Sequence, residues 1–197
     1  MTSESSEARD NILAVGQRIM AGKGFSAVGL NEILTTAGVP KGSFYYYFAS
    51  KDAFGEALLE KYFKDYLVEL DLTLQQADMT TAQRLLHYFD KWRMNQLTSD
   101  CQGKCLVVKL GAEVADLSEP MRLTLKQGTA GIVARLTGAI ERGVAEGSLA
   151  VDDEPGLVAE SLYQLWLGAS IMAKITRDGS PLDAAMRSTQ QLLHLSR

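Results

Sequence analysis

Apolar residues recur at spacings of three and four positions along almost the whole chain, and no segment alternates apolar and polar residues at period two for long. This spacing places apolar side chains on one face of an α-helix, whereas a half-buried strand requires alternation. We therefore predict an all-α fold of about nine helices. The predicted helices run from about Ser6 to the Gly22–Gly24 break, over 30–37, from Pro40 to about Phe48, and over 51–75, 80–98, 104–116, 120–146, 155–177 and 181–195.

The composition is that of a globular protein without a membrane span. Of the 197 residues, 46% are hydrophobic and 22% charged, so the chain can form a sizeable core. A span needs about 18 uninterrupted apolar residues, but the most apolar stretch, Leu157–Ile175, contains Glu160, Gln164 and Lys174. The N-terminus lacks the basic start and apolar run of a secretory signal. We expect a cytoplasmic protein that does not bind membranes and whose two cysteines are free thiols.

Charge is distributed unevenly along the chain. The net charge is −4, yet residues 1–51 hold five Lys and Arg against four Asp and Glu, and residues 52–197 hold 15 against 20. This balance argues against a protein that coats nucleic acid non-specifically. An acidic body with a near-neutral N-terminal part can still bind DNA through a few placed cations.

Three short helices predicted within about the first 50 residues indicate a helix-turn-helix. Gly38 lies where a helix commonly ends on a left-handed glycine. Pro40 suits the first turn of the next helix, because an N–H at that position would have no helical partner. Ser50 suits the N-cap of the helix that follows, since its hydroxyl can accept a hydrogen bond from a free backbone N–H.

Residues 24–34, GFSAVGLNEIL, and 37–54, AGVPKGSFYYYFASKDAF, closely resemble the DNA-binding domain of TetR/AcrR-family transcriptional repressors. The order Gly-aromatic, short helix, Ala-Gly-Val, Lys-Gly, Tyr, Phe and Ser-Lys is kept. The resemblance departs at Val28 and Gly29, where the family usually has Thr or Ser as the helix cap. It implies a helix-turn-helix domain over 1–52 and a larger helical domain for effector sensing and dimerisation over 53–197.

The residue types in the third helix suit an approach to DNA. Gly42 and Ser43 are small enough to let the backbone approach bases in a major groove. Lys41 and Lys51 can neutralise phosphates, and Ser50 lies beside a helix N-terminus that favours anions. The residues predicted to contact DNA are Asn31, Pro40, Lys41, Gly42, Ser43, Tyr45, Tyr46, Ser50 and Lys51.

The aromatic run also has a purely structural interpretation, in which Tyr45, Tyr46 and Tyr47 close a small helical domain. Three adjacent helical residues cannot all face one core, so at least one of them must be exposed. Phe44, Phe48 and Tyr47 are assigned to packing, and the hydroxyls of Tyr45 and Tyr46 to phosphate or thymine contacts.

The last two long helices are candidates for a subunit interface. The stretch Leu157–Ile175 is apolar over more than half of its circumference, and Gly168 would allow close approach of another helix. In the TetR family, the last two long helices form a four-helix bundle between two copies. The resemblance therefore implies a homodimer that presents two recognition helices to a two-fold operator of double-stranded DNA.

Cys105 is the candidate sensor residue. It lies near the N-terminus of the predicted helix 104–116, where the helix dipole favours a thiolate, with Lys104 adjacent and Lys109 one turn on. Lys174 is the only cation in a mostly apolar stretch and could hold a Cys105 thiolate if the two helices are neighbours. The predicted buried stripe of the helix is Leu106, Leu110 and Val114.

Residues 103–110, GKCLVVKL, together with Ala112–Val114, Asp116–Glu119, Leu165–Ala169 and Ala173–Ile175, resemble the NemR-type subgroup of the family. Those repressors respond to reactive electrophiles and oxidants through a cysteine at the position of Cys105, and they control detoxifying reductases. The resemblance implies the same kind of small-molecule effector here, with Cys101 in a nearby loop as a possible resolving thiol.

Two other interpretations remain open from the sequence. An apolar effector could bind reversibly among the middle helices, in a pocket lined by Tyr88, Phe89, Trp92, Tyr163, Trp166 and Met172. Alternatively, Cys105 could be a buried and inert small hydrophobe, and Lys174 could mark the solvent end of its helix.

An enzyme could use Cys105 as nucleophile and His87 as base, but no oxyanion loop, phosphate loop or third orienting residue stands at a recognisable spacing. A helical scaffold that does not bind DNA is the remaining class. Cys101 and Cys105 with two distant histidines lack metal-ligand spacing. We therefore predict no enzyme activity, no cofactor and no metal.

Overall fold

The computed structural model describes residues 3–101 and 105–195, with side chains described over 7–97 and 105–195. In the described residues the chain forms nine helices and no strand, which confirms the predicted all-α fold. The helices are α1 (Ser3–Lys23), α2 (Leu30–Ala37), α3 (Lys41–Tyr47), α4 (Lys51–Leu74), α5 (Thr81–Cys101), α6 (Leu106–Leu117), α7 (Glu119–Ala145), α8 (Pro155–Thr176) and α9 (Ser180–Leu192). Within these described ranges no helix is both long and apolar enough to cross a bilayer.

Some helix ends differ from the sequence prediction. The predicted break at Ser99–Gly103 begins too early, because α5 continues to Cys101. Ser, Asp and Cys are only weak helix formers and do not end a helix by themselves. Cys101 is therefore the last residue of α5 and not a loop residue, and its side chain lies outside the described side chains. The sequence predicts Pro40 in the first turn of the third helix, but it is the N-cap of α3, in extended conformation (φ −65°, ψ 152°), and the helix begins one residue later at Lys41.

Described residues within 1–65 and 104–128 form one compact unit. In this first unit α1 packs on α2 and α6, and α2 packs on α3. Gly16 lets α1 approach the ring of Phe54, because a Cβ at that position would overlap the ring. The largest buried side chains of the unit are Ile12, Leu13, Met20, Ile33, Phe44, Phe54, Leu58, Leu59 and Leu106.

Described residues within 66–103 and 129–197 form a second compact unit, in which α8 packs on α9 and both pack on α5. The core of this second unit is aromatic. Phe89 stacks on Trp166 with ring centroids 5.1 Å apart, and Trp92 lies 5.9 Å from Trp166 and 5.7 Å from Tyr163. The sequence predicts a boundary between a DNA-binding and a sensing domain at residues 52 and 53. The two units are defined by packing and not by function, so this boundary stays a prediction.

We predict that Phe89→Ala lowers the free energy of unfolding by about 3–5 kcal/mol, because it leaves a cavity beside the stacked Trp166 ring. Leu72→Ala removes an exposed side chain and is expected to change the free energy by no more than about 0.5 kcal/mol. Urea unfolding at one protein concentration measures both. Equal losses in the two variants would contradict the assignment of the aromatic cluster to the core.

Candidate functional site

Helices α2 and α3 and the turn between them form the helix-turn-helix that the sequence predicts. Gly38 ends α2 in the left-handed conformation (φ 68°), as predicted, and its N–H bonds to the Thr35 carbonyl at 3.3 Å. The N–H of Val39 bonds to the Leu34 carbonyl at 3.1 Å, which completes the cap. Pro40 then directs the chain into α3, with the N–H of Ser43 on the Pro40 carbonyl.

The side chains of α3 divide into a buried set and an exposed set. Phe44 and Phe48 are buried, whereas Tyr45 is 55% and Tyr46 is 73% exposed. The expectation that the three tyrosines cannot all face one core is confirmed, with Tyr47 half-buried. Of the residues predicted to contact DNA, Ser43 and Lys51 are half-buried, and the exposed ones are Asn31, Pro40, Lys41, Gly42, Tyr45, Tyr46 and Ser50.

Gly42 lies in the first turn of α3, and a Cβ built on it would meet none of the described atoms within 4 Å. Packing inside the protein therefore does not require glycine at this position. The missing side chain leaves the backbone of α3 open to a partner from outside.

Ser50 is the N-cap of α4, as predicted. Its Oγ accepts a hydrogen bond from the N–H of Ala53 at 3.0 Å. The hydroxyl hydrogen can still donate to another group.

Lys51 points towards its own unit. Its Nζ donates to the Phe25 carbonyl at 2.8 Å and lies 4.6 Å from the centroid of the Phe25 ring. The sequence predicts a phosphate contact for Lys51, and the structure adds an internal partner 26 positions away along the chain.

Glu113 on α6 is a site residue to which sequence reasoning gave no role. Its Oε2 accepts the N–H of Phe25 at 3.0 Å and its Oε1 accepts the N–H of Ser26 at 2.7 Å. Burial raises the pKa of this carboxyl, but the hydrogen bonds from Ser26 and Phe25 and the charge of Lys51 outweigh it and hold the pKa below its ordinary value. The only signal in the sequence is an acidic residue between the apolar positions of α6.

Cys105 is the N-cap of α6 and half-buried, so the helix begins at Leu106, two residues after the predicted start at 104. The hydroxyl of Tyr62 donates to its Sγ at 3.7 Å. Lys109 is half-buried, and its backbone N–H bonds to the Cys105 carbonyl at 3.1 Å. The predicted stripe of Leu106, Leu110 and Val114 is buried. Lys104 lies outside the described residues.

The aromatic residues considered as a pocket lining are packed in the second unit. Trp92 Nε1 donates to Ser170 Oγ at 3.0 Å, and Trp166 Nε1 donates to Thr189 Oγ1 at 2.9 Å. The Tyr88 and Tyr66 hydroxyls are 2.8 Å apart and hydrogen-bonded. Both indole N–H groups are thus satisfied within the protein, as in a core.

Two other residues of α8 are candidates from the sequence, Met172 for the pocket lining and Lys174 for the sensor. Met172 is 46% exposed and does not lie in the aromatic core, because it projects about 100° around the helix from the buried Ala173 and about 120° from the buried Trp166. Lys174 is half-buried in the last turn of α8.

One face of α8 is exposed and carries apolar side chains towards both ends of the helix, with the polar Glu160 and Gln164 between them. Leu157 is 59% and Ile175 is 67% exposed, and Ile171 lies between them on the same face. A Cβ on Gly168, also on this face, would meet no described atom within 4 Å. Exposed apolar side chains beside an open glycine suit close contact with another helix.

Two family models match the chain. The model described as bacterial regulatory proteins, tetR family, matches residues 12–58. The model described as tetracyclin repressor-like, C-terminal domain, matches residues 81–189.

Named relatives match over most of their length. The HTH-type transcriptional repressor NemR of Escherichia coli K12 is 41% identical over 95% of this chain and 94% of its own. The HTH-type transcriptional repressor DhaR of Mycobacterium sp. GP1 is 34% identical over 89% of this chain and 86% of its own. The crystal structure of the reduced form of E. coli NemR superposes with a TM-score of 0.91, covering 95% of this chain and 97% of that one. These relatives are transcriptional regulators, which agrees with the prediction that the chain is not an enzyme.

We predict that Glu113→Gln lowers the stability of the protein at neutral pH and that this loss shrinks in acid. Because the folded-state pKa of Glu113 lies below its ordinary value of 4.5, the unfolded chain takes up the proton first as pH falls. The stabilisation is therefore complete above pH 4.5 and is lost as pH falls through the folded-state pKa.

Urea unfolding of wild type and Glu113→Gln between about pH 7 and about pH 3 measures this difference. Glu60→Gln changes an exposed glutamate of α4 and serves as the control. If the difference in unfolding free energy between wild type and Glu113→Gln stays constant with pH, the Glu113 charge does not stabilise the fold.

Proposed function

Because the chain belongs to the TetR family of transcriptional regulators, we propose that it is a homodimeric repressor that a reactive electrophile or oxidant releases from operator DNA by modifying Cys105. The observation that carries the DNA-binding part is the exposed surface of α3, whose opposite side is anchored by buried Phe44 and Phe48. The similarity to NemR, a named repressor, supports the direction of regulation. We also propose a cytoplasmic location, because a protein that binds operator DNA must be in the compartment that contains the DNA.

In this proposal α3 is the recognition helix and lies in the major groove of the operator. Lys41 contacts a phosphate, and the open backbone at Gly42 lets Ser43 approach base edges. Tyr45 and Tyr46 extend towards the DNA, because both are exposed beside the buried Phe44. Asn31, Pro40 and the free hydroxyl hydrogen of Ser50 contact the backbone at the edges of this surface, and Lys51 contributes by its charge and by holding Phe25.

The proposed dimer forms through α8 and α9. The exposed apolar face of α8 supports this assignment, since Leu157, Ile171 and Ile175 lose contact with water only when another surface covers them. The open position at Gly168 allows two copies of α8 to approach closely. A two-fold dimer presents two copies of α3 to a two-fold operator.

The proposed sensor is the thiol of Cys105. A helix N-terminus favours the negative sulfur that reacts with electrophiles, and the residue that carries it is only half-buried. Lys109 is the cation that we assign to this sensor. The pairing of Lys174 with the thiolate stays a prediction, because Lys174 belongs to the second unit. Because Trp92 and Trp166 satisfy their indole N–H groups within the second unit, we assign them and Tyr88 to the core of that unit.

We predict that Lys41→Ala weakens binding to operator and to unrelated DNA by similar factors, because a phosphate contact carries no sequence information. The slope of log K against log salt should become shallower by about one unit. Fluorescence anisotropy at several salt concentrations measures both, with Lys64→Ala on the exposed side of α4 as the matched lysine control. An unchanged slope would remove Lys41 from the phosphate contacts.

We predict that Cys105→Ser keeps the operator affinity of the wild type but is no longer released by N-ethylmaleimide or hydrogen peroxide. Cys101→Ser is the matched cysteine control and should still be released. Intact mass identifies the adduct, and anisotropy follows the DNA. Release of the Cys105→Ser variant would refute the thiol sensor and favour a reversible, non-covalent effector.

A further inference from the structure

The turn Gly24–Ser26, which leads from α1 to α2, is held by a carboxylate from α6. Glu113 accepts the consecutive N–H groups of Phe25 and Ser26 at 3.0 and 2.7 Å. Gly24 has φ 93°, and a Cβ there would lie 3.0 Å from Glu113 Oε2. The turn thus has both the free donors and the open space that one carboxylate requires.

Phe25 is also held from the other side. The Lys51 ammonium of α4 donates to the Phe25 carbonyl at 2.8 Å and lies over the Phe25 ring. A Cβ on Gly55, also in α4, would overlap the same ring, so the ring lies directly on that helix. The N–H of Phe25 is therefore bound by an anion from α6 and its C=O by a cation from α4.

The same two helices meet again at the proposed sensor. Cys105 caps α6, and the hydroxyl of Tyr62, on α4, donates to its sulfur at 3.7 Å. Glu113 follows Cys105 by eight residues, or about 12 Å along the helix axis. Tyr62 follows Lys51 by eleven residues on α4, or about 16 Å. The pair α4 and α6 thus holds the cysteine at one place and the Phe25 turn at another.

We propose that Glu113 is a positioning residue that couples the chemical state of Cys105 to the position of the helix-turn-helix. The proposal rests on the proposed function, in which α3 binds DNA and Cys105 is modified. With N-ethylmaleimide, the Cys105 sulfur adds to the C=C bond, so that an S–C bond replaces the π bond and the thiol proton ends on the adjacent carbon. The adduct then occupies the space of the Tyr62 hydroxyl and displaces the start of α6. Because α6 is one short helix, the displacement carries Glu113 away from the two N–H groups, and these bonds weaken steeply with distance and angle. The turn before α2 is then no longer fixed.

The test compares the dissociation constant for operator DNA before and after N-ethylmaleimide in wild type and in Glu113→Gln. We expect alkylation to weaken wild-type binding about tenfold or more, within the usual range of allosteric coupling. Unmodified Glu113→Gln should bind about as weakly as alkylated wild type, and alkylation should change it by less than about twofold. Full release of Glu113→Gln by alkylation would overturn the coupling role.

Val114→Ala is the matched control, because it weakens the packing of α6 at a buried residue and leaves the Glu113 bonds in place. In Val114→Ala, alkylation should still weaken operator binding by the same factor as in the wild type. Suppose that alkylation changes the dissociation constant of Val114→Ala as little as that of Glu113→Gln. General loosening of α6, and not the carboxylate, would then carry the effect.

Amide hydrogen exchange at Phe25 and Ser26 in the DNA-free protein decides the proposal even where Glu113→Gln binds DNA too weakly to measure. Alkylation of the wild type, confirmed by intact mass, should accelerate exchange at these two amides, and the same treatment of Cys105→Ser should not. An adduct on Cys105 with unchanged exchange at both amides overturns the coupling. Failure of alkylation to release wild-type DNA, with exchange nevertheless accelerated, overturns the proposed function instead.

Discussion

The packing of three phenylalanine rings fixes the helix on which the proposed function depends. Helix α3 has seven residues, and isolated helices of this length are not stable in water. Its position therefore comes from Phe44 and Phe48, whose ring centroids lie 5.5 and 5.1 Å from that of Phe54 on α4. The exposed tyrosines of α3 are presented to a partner only because these rings hold the other side of the helix.

Local sequence signals predicted the helix-turn-helix well because the physics of its turns is local. A left-handed glycine at Gly38 and a hydroxyl at Ser50 act on backbone groups within a few residues, so the sequence alone indicates them. The end of α5 was misplaced, because Ser and Asp near Cys101 are weak signals that also occur within helices.

Long-range partners could not be predicted in the same way. Glu113 binds N–H groups 87 and 88 positions away, and Lys51 binds a carbonyl 26 positions away, so neither side chain has a local pattern that identifies its partner. The hydrogen-bond partners of the Trp92 and Trp166 indoles could not be predicted either, because they are also distant in sequence. Their aromatic spacing suits a pocket or a core, and only the hydroxyls of Ser170 and Thr189, placed by the fold, favour the core.

The size of the Glu113 interaction suits a switch. A hydrogen bond to a charged group contributes about 1.5–3 kcal/mol, which is less than the stability of a domain but corresponds to a change in affinity of at least about tenfold, since 1.4 kcal/mol represents tenfold. In the proposed homodimer both copies of α3 bind the same operator. The binding free energy lost in one protomer therefore adds to that lost in the other. A loss of about 1.4 kcal/mol per protomer then weakens operator binding about a hundredfold, with no need to unfold either helix-turn-helix.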